Sequence, residues 1–252
     1  MTCTLDVQIF PAPNELFAAA AEEFISRASD AVSRHGLFNV ALSGGSTPRG
    51  LYVLLAGRLA DKVPWDKIRF FWGDERHVGP EDPESNYRMA HEAMLSKVKL
   101  NPANVFRVPA ENPDAGQAAA EYEETLRRAF HSETGEAPGF DLILLGMGPD
   151  GHTASLFPGT EAVQEESRLV VANWVENFKS HRITLTVPVL NSATCVMFLV
   201  TGKDKAPALA AVFDESAPED QYPAKKVRPR NGDLIWMVGR DAASDLPPAW
   251  LK

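Results

Sequence analysis

The sequence predicts an α/β fold, with a mostly parallel open sheet and helices on both faces, from three observations. Strand-like and helix-like segments alternate along the chain. Two apolar segments, Phe38-Asn39-Val40-Ala41-Leu42 and Phe140-Asp141-Leu142-Ile143-Leu144-Leu145, run straight into glycine-rich turns, and open α/β sheets place ligands at such turns. The length of 252 residues fits one large domain over 1–252, with no repeat, low-complexity tract or linker in it.

Val7 to Phe10 reads as the first strand, and Asn14 to Arg34 as an amphipathic helix that Asn14 is placed to cap. Phe38 to Leu42 is the second strand, and Pro48 to Ala60 a helix with proline near its first turn. Ile68 to Trp72 is a third strand, ending in Gly73-Asp74-Glu75-Arg76. Ser85 to Ser96 and Pro113 to Thr134 are expected as helices. Further strands are expected at Phe140 to Leu145, Arg168 to Val171, Arg182 to Val187 and Thr194 to Val200. Lys205 to Phe213 makes a short helix, and Leu234 to Val238 is expected to close the sheet.

Composition narrows the function classes. Hydrophobic residues make up 44% and charged residues 23%, ordinary for a soluble globular protein. A net charge of -9 argues against nucleic acid or an anionic membrane as partner, because phosphate backbones require a Lys and Arg excess. A small anionic substrate needs only a local cluster of cations. No run of ~18 apolar residues marks a membrane span, and Met1 to Phe10 carries Asp6 and no basic segment of a signal peptide. Two cysteines suit a reducing compartment, and the apolar run around Cys195 packs it as a small hydrophobe. A cytoplasmic monomer is expected.

The turn Gly146-Met147-Gly148-Pro149-Asp150-Gly151-His152 brings an acid and an imidazole within two positions of each other. It matches the dinucleotide pattern G-x-G-x-x-G, but Pro158-Gly159 interrupts the helix that pattern requires, so no nicotinamide or flavin is expected. An imidazole with an unperturbed pKa of about 6.5 suits a general base, and Asp150 can fix its tautomer. A capping aspartate beside a surface histidine is the plainer alternative.

Ser43-Gly44-Gly45-Ser46-Thr47-Pro48 lacks the Gly-Lys-Ser/Thr ending of a P-loop but shares its physics. Gly44 and Gly45 let backbone N–H groups turn toward a ligand, Ser46 and Thr47 offer hydroxyls, and the next helix points its positive end at the same place. That suits a phosphate monoester; an ordinary N-cap followed by proline would read the same way. Asp74-Glu75-Arg76-His77 could be drawn with Asp150 and His152 as a metal site, yet the cation of Arg76 opposes it and the spacing fits no standard ligand set. Arg76 is better placed to meet an anion or a developing oxyanion. Arg182 and Lys205 each adjoin an apolar strand, and a lysine at a helix start gains from a bound anion. Lys203 is left to solvent. No G-x-S-x-G elbow supports a serine hydrolase.

At these residues the chain resembles the glucosamine-6-phosphate isomerase/6-phosphogluconolactonase family, on its lactonase side. The match runs through Leu42 to Pro48, Trp72 to Arg76, Ser85-Asn86-Tyr87, Gly146 to Pro158, Arg182 to Thr186, Thr201 to Ala206 and Pro223-Ala224. The resemblance implies a three-layer α/β/α fold and cofactor-free hydrolysis of a sugar-phosphate lactone. It implies His152 as catalytic residue with Asp150 alongside, phosphate contacts from Gly44 to Thr47, Arg182 and Lys205, and Arg76 near the sugar or carboxylate end, with Asp74 in the same site. The deaminase branch resembles D-G-H-x-x-x-x-E-P, where this chain has Phe157-Pro158, and its tyrosine after Asp-Glu is Arg76 here. A sugar-phosphate sensor would keep the cradle without needing His152.

Overall fold

The structure, a computed structural model, describes residues 4–132, 136–247 and 250. In chain order the main elements begin with β1 (Thr4–Phe10), α1 (Pro13–His35), β2 (Phe38–Leu42), α2 (Ser46–Ala56) and β3 (Ile68–Trp72). Next come β4 (Asp74–Arg76), α3 (Asn86–Ala93), α4 (Ala115–Phe130), β5 (Leu142–Leu145) and β6 (Val170–Val175). The remainder are β7 (Ser180–Leu185), α5 (Val187–Leu190), β8 (Cys195–Val200), α6 (Ala206–Phe213) and β9 (Asp233–Gly239).

Six strands form a wholly parallel sheet in the order β1-β9-β8-β5-β2-β3, with helices on both faces. Burial on both faces explains why its inner strands are continuous apolar runs instead of alternating ones. Every residue of β5 and β8 is buried, and each large side chain so buried contributes roughly 1.5–3 kcal/mol. From β2 the chain crosses outward to β3, whereas from β5 it proceeds the other way to β8 and β9. The carboxyl ends of β2 and β5 therefore flank the point where strand order reverses, the position at which such sheets form a crevice.

A second sheet, β4-β7-β6, is antiparallel. The strands expected at Arg168 to Val171 and Arg182 to Val187 belong to it and not to the parallel sheet. They occupy Val170–Val175 and Ser180–Leu185, and α4 packs on both. The Asp74-Glu75-Arg76 end of the third strand is itself a separate strand, because Gly73 redirects the chain after β3 to pair with β7.

Other boundaries moved for identifiable reasons. Asn14 does not cap α1: Pro13 starts that helix, so Ala12 is the cap residue and offers no side-chain bond. The second helix begins two residues early, at Ser46, and stops at Ala56 before Gly57, with residues 60–62 a separate turn. Ser85 and Asp114 cap α3 and α4 through side-chain oxygens that accept from Arg88 N and Gln117 N. α4 ends at Phe130 with His131 in the left-handed conformation; of the longer helix expected, Glu133 and Thr134 lie outside the described residues. The last strand does not close the sheet at an edge. β9 lies between β8 and β1, and β1 is the edge.

Candidate active site

Two buried tyrosines finish the strands that lead to the site. Tyr52 Oη accepts from Ser43 N at 3.0 Å and donates to Ser43 O at 2.9 Å, so the backbone leaving β2 is satisfied where the ladder stops. Tyr122 Oη does the same for Trp72 N and O at the end of β3. Burial raises both phenols far above their ordinary range, so both remain neutral donors.

The turn after β2 leaves the amino end of α2 open. Gly45 occupies the cap position at φ 100°, no side chain caps the helix, and its first turn carries no acid. Backbone N–H groups and the positive end of the helix thus face a cavity of about 270 Å³, lined by Gly44 to Thr47. Gly44 is required by close approach, since a Cβ there would lie 1.9 Å from Asn86 Oδ1. Thr47 Oγ1 is 2.7 Å from Thr201 Oγ1, which ties this turn to the end of β8. Lys205 reaches the same cavity from the start of α6 while pairing with the exposed Asp204 at 2.7 Å.

The turn after β5 is built differently. Thr153 Oγ1 donates to Gly146 O at 2.8 Å, Gly148 N to His152 O at 2.9 Å, and Gly151 N to Gly148 O at 3.1 Å. Gly151, at φ 78°, lies against the backbone of Tyr222. This frame sets Asp150 Oδ1 2.6 Å from His152 Nδ1 and 3.1 Å from His152 N. Burial alone would raise Asp150, but the hydrogen bond and charge of His152 hold its carboxyl below the usual range. A carboxylate accepting from Nδ1–H leaves the lone pair of the neutral ring on Nε2. The ring lies over Gly148, where a Cβ would come within 2.1 Å of it, and stacks on Phe157 at 4.1 Å between centroids.

The third wall comes from β4. Asp74, buried and lining the cavity, accepts from Ser155 Oγ at 2.7 Å, and Asn86 Nδ2 donates to Asp74 O at 3.0 Å. Glu75 points away and anchors the start of α3. It accepts from Asn86 N at 2.7 Å, Tyr87 N at 2.8 Å, Arg76 N at 2.8 Å and Ser85 Oγ at 3.1 Å. Burial nevertheless pushes the Glu75 carboxyl above its ordinary range, against the pull of those N–H groups.

Arg76 lines the cavity and donates to the Glu84 carbonyl. Its cross-strand partner is Arg182. Burial and the neighbouring charge of Arg76 both lower the Arg182 guanidinium. Arg182 bonds Ser180 Oγ and His181 O and lies over the Phe178 ring.

The structure therefore gathers Gly44, Gly45, Ser46, Thr47, Asp74, Arg76, His152 and Lys205 around one cavity. Arg182, the cross-strand partner of Arg76, does not line that cavity, and Asp150 lines a neighbouring groove with Phe157. Lys203 is exposed, and Cys195 is fully buried. Among the described residues, no three His, Cys, Asp or Glu side chains come together as a metal site. Thr201 and Ser155 carry no signal of their own in the sequence, and Asn86 stands out only within Ser85-Asn86-Tyr87. The clue to Asn86 was its position just after the capping serine of a helix that follows two acids.

A parallel sheet whose reversal point holds both an anion cradle and an acid–imidazole pair narrows the comparison with known proteins. Residues 11–236 match the family model described as glucosamine-6-phosphate isomerases/6-phosphogluconolactonase, and the chain belongs to that family. Among its relatives, the 6-phosphogluconolactonase of Nostoc sp. is 42% identical over 240 residues, covering 95% of this chain and 98% of the relative. The 6-phosphogluconolactonase of Mycobacterium tuberculosis is 37% identical over 249 residues, covering 96% and 98%. The solved 6-phosphogluconolactonase from Trypanosoma cruzi is similar at a TM-score of 0.85 and 31% identity, over 98% of each chain. A monomeric glucosamine-6-phosphate deaminase shares the fold at a TM-score of 0.79 and 21% identity, over 95% of this chain and 99% of its own.

Proposed function

We propose that this chain hydrolyses 6-phospho-D-glucono-1,5-lactone to 6-phospho-D-gluconate, a step of the oxidative pentose phosphate pathway, without metal or cofactor. Its relatives in Nostoc sp. and Trypanosoma cruzi carry the name 6-phosphogluconolactonase. The observation that carries the mechanism is that one cavity is lined both by the uncapped amino end of α2 and by His152, whose Nδ1 is held by Asp150.

The δ-lactone is an ester. His152 Nε2 takes a proton from water as its oxygen attacks C1, and Asp150 stabilises the imidazolium. Arg76 offsets the negative charge developing on the carbonyl oxygen. The C1–ring oxygen bond then breaks, and the ring oxygen receives the proton from Nε2. The carboxylic acid formed gives its own proton to solvent. The backbone of Gly44 to Thr47 with Lys205 grips the phosphate, Asp74 holds the wall through Ser155 and Asn86, and Arg182 adds positive field beside Arg76.

Phe157 supports the lactonase reading over deamination. Its ring covers the imidazole where the deaminase motif has a carboxylate, so the ring opening and isomerisation of an amino sugar lack a third proton-transfer group. We also take the chain to work as one domain over 1–252 and as a cytoplasmic monomer. Purified protein should release acid from fresh lactone above the spontaneous rate and no ammonia from glucosamine 6-phosphate. Ammonia release without lactone hydrolysis would make it a deaminase, and tight sugar-phosphate binding with neither activity would make it a sensor.

A further inference from the structure

The hairpin joining β6 to β7 ends in a side chain that core packing does not explain. Phe178 is 55% exposed, so burial returns little of its apolar surface. The turn that carries it is strained, with Lys179 in the left-handed conformation at φ 46°. Its ring nevertheless makes two directed contacts. It meets the buried Phe157 edge-on at 5.8 Å between centroids, and the Arg182 guanidinium lies 5.2 Å from its centre. Phe157 in turn stacks on His152 at 4.1 Å and 29°.

Those contacts form a chain from the hairpin tip to the imidazole. The His152 ring packs closely on Gly148, where no side chain would fit, and stacks on Phe157. Nδ1 is tethered to Asp150, which fixes one point of the ring but leaves rotation about that hydrogen bond. Stacking removes that freedom only while Phe157 stays in place. Edge-to-face contact is directional, so Phe178 opposes tilting of Phe157 away from His152. The same ring steadies Arg182, the cross-strand neighbour of Arg76.

From this we infer that Phe178 is a positioning residue: acting through Phe157, it fixes the plane of the His152 ring, and it couples that plane to the Arg182–Arg76 pair. The inference rests on the reading of His152 as the base. A base misplaced by a fraction of an ångström loses rate and not substrate affinity.

The test uses Phe178→Ala, Phe178→Tyr and Phe157→Leu in the full-length protein. Because Phe178 is largely exposed, its loss should leave the melting temperature nearly unchanged. Phe178→Ala is expected to lower kcat about tenfold with a smaller change in KM, and Phe178→Tyr, which keeps the ring, to recover most of it. Phe157→Leu should lower kcat at least as much, and the double variant should be no worse than Phe157→Leu alone, as for residues acting in series. Independently of turnover, the His152 Cε1–H resonance should move in Phe178→Ala, because the ring current of Phe157 on it changes. Unchanged kcat and resonance in Phe178→Ala, or additive losses in the double variant, would overturn the inference. Full turnover by His152→Ala would overturn the underlying reading instead, while the resonance would still report whether Phe178 orients the ring.

Discussion

The two glycine-rich turns end neighbouring strands, β2 and β5, and open on the same cavity, yet they are built in opposite ways. After β2 the glycines expose backbone: α2 starts uncapped, and Gly44 and Gly45 leave donors pointing outward. After β5 the backbone N–H groups of Gly148 and Gly151 are spent inside the turn, which presents the His152 side chain to the cavity with Asp150 bonded to it. In the proposed reaction the first turn binds phosphate with main chain, equally well in ground and transition states, and the second acts through side chains whose value lies in their orientation. Changes at the first should therefore appear in KM and changes at the second in kcat.

The sharpest test of that division is Gly148→Ala. Gly148 is not among the left-handed glycines, so the backbone accepts alanine, but the new Cβ would come within 2.1 Å of the imidazole. We expect kcat to fall about 10³-fold with KM nearly unchanged. A KM effect of similar size would mean that this turn also binds substrate.

Asp150→Asn should come next, with a kcat loss of about 10²-fold, because a neutral amide neither enforces the tautomer nor stabilises imidazolium. His152 holds the Asp150 carboxyl below the ordinary carboxylate range, so in the wild type Asp150 should stay ionised and keep its hold on Nδ1 as the pH falls toward that range. A kcat/KM profile in the variant that matched wild type in height and shape would remove Asp150 from the mechanism.

Lys205→Ala probes the other turn. KM should rise about tenfold and competition by inorganic phosphate should weaken, with kcat changed far less. Unaltered phosphate inhibition would break the comparison by placing the anion elsewhere.

The smallest expected change lies in the third wall, where Glu75 joins β4 to the start of α3. Glu75→Gln puts an amide where a carboxylate accepts four donors, which should destabilise the protein by about 1–3 kcal/mol, visible as a melting temperature lower by several degrees. The pH dependence has a definite sign. Glu75 is raised in the folded state, so between that pKa and the ordinary range near ~4.3 the folded protein binds more protons than the unfolded chain. Its contribution to stability rises as pH falls through that window, and Glu75→Gln should abolish this component.

The parallel sheet was legible because its inner strands are largely apolar runs, and β2, β3 and β5 lead into glycine-bearing turns. The antiparallel sheet was not. β4 is Asp-Glu-Arg, with no apolar pattern, and becomes a strand only by pairing with β7, more than a hundred residues away in sequence. Arg182 shows the cost of that blindness: it reads as the opening residue of a strand, but it sits inside β7, paired with Arg76 and off the cavity. Phe157 was noticed only as the replacement for a carboxylate, since stacking on His152 depends on the turn's three-dimensional closure. The misplaced cap at Asn14 was a local error, because Pro13 already carried the start signal.

General-base hydrolysis in this cavity depends on His152. Initial rates of acid release from freshly prepared lactone, corrected for spontaneous hydrolysis, should be measured across substrate concentrations for wild type and His152→Ala. In His152→Ala, kcat should fall about 10²-fold or more with 6-phosphogluconate binding retained, because the α2 cradle is intact. Near-normal kcat in His152→Ala would contradict the general-base role, as would a loss confined to KM.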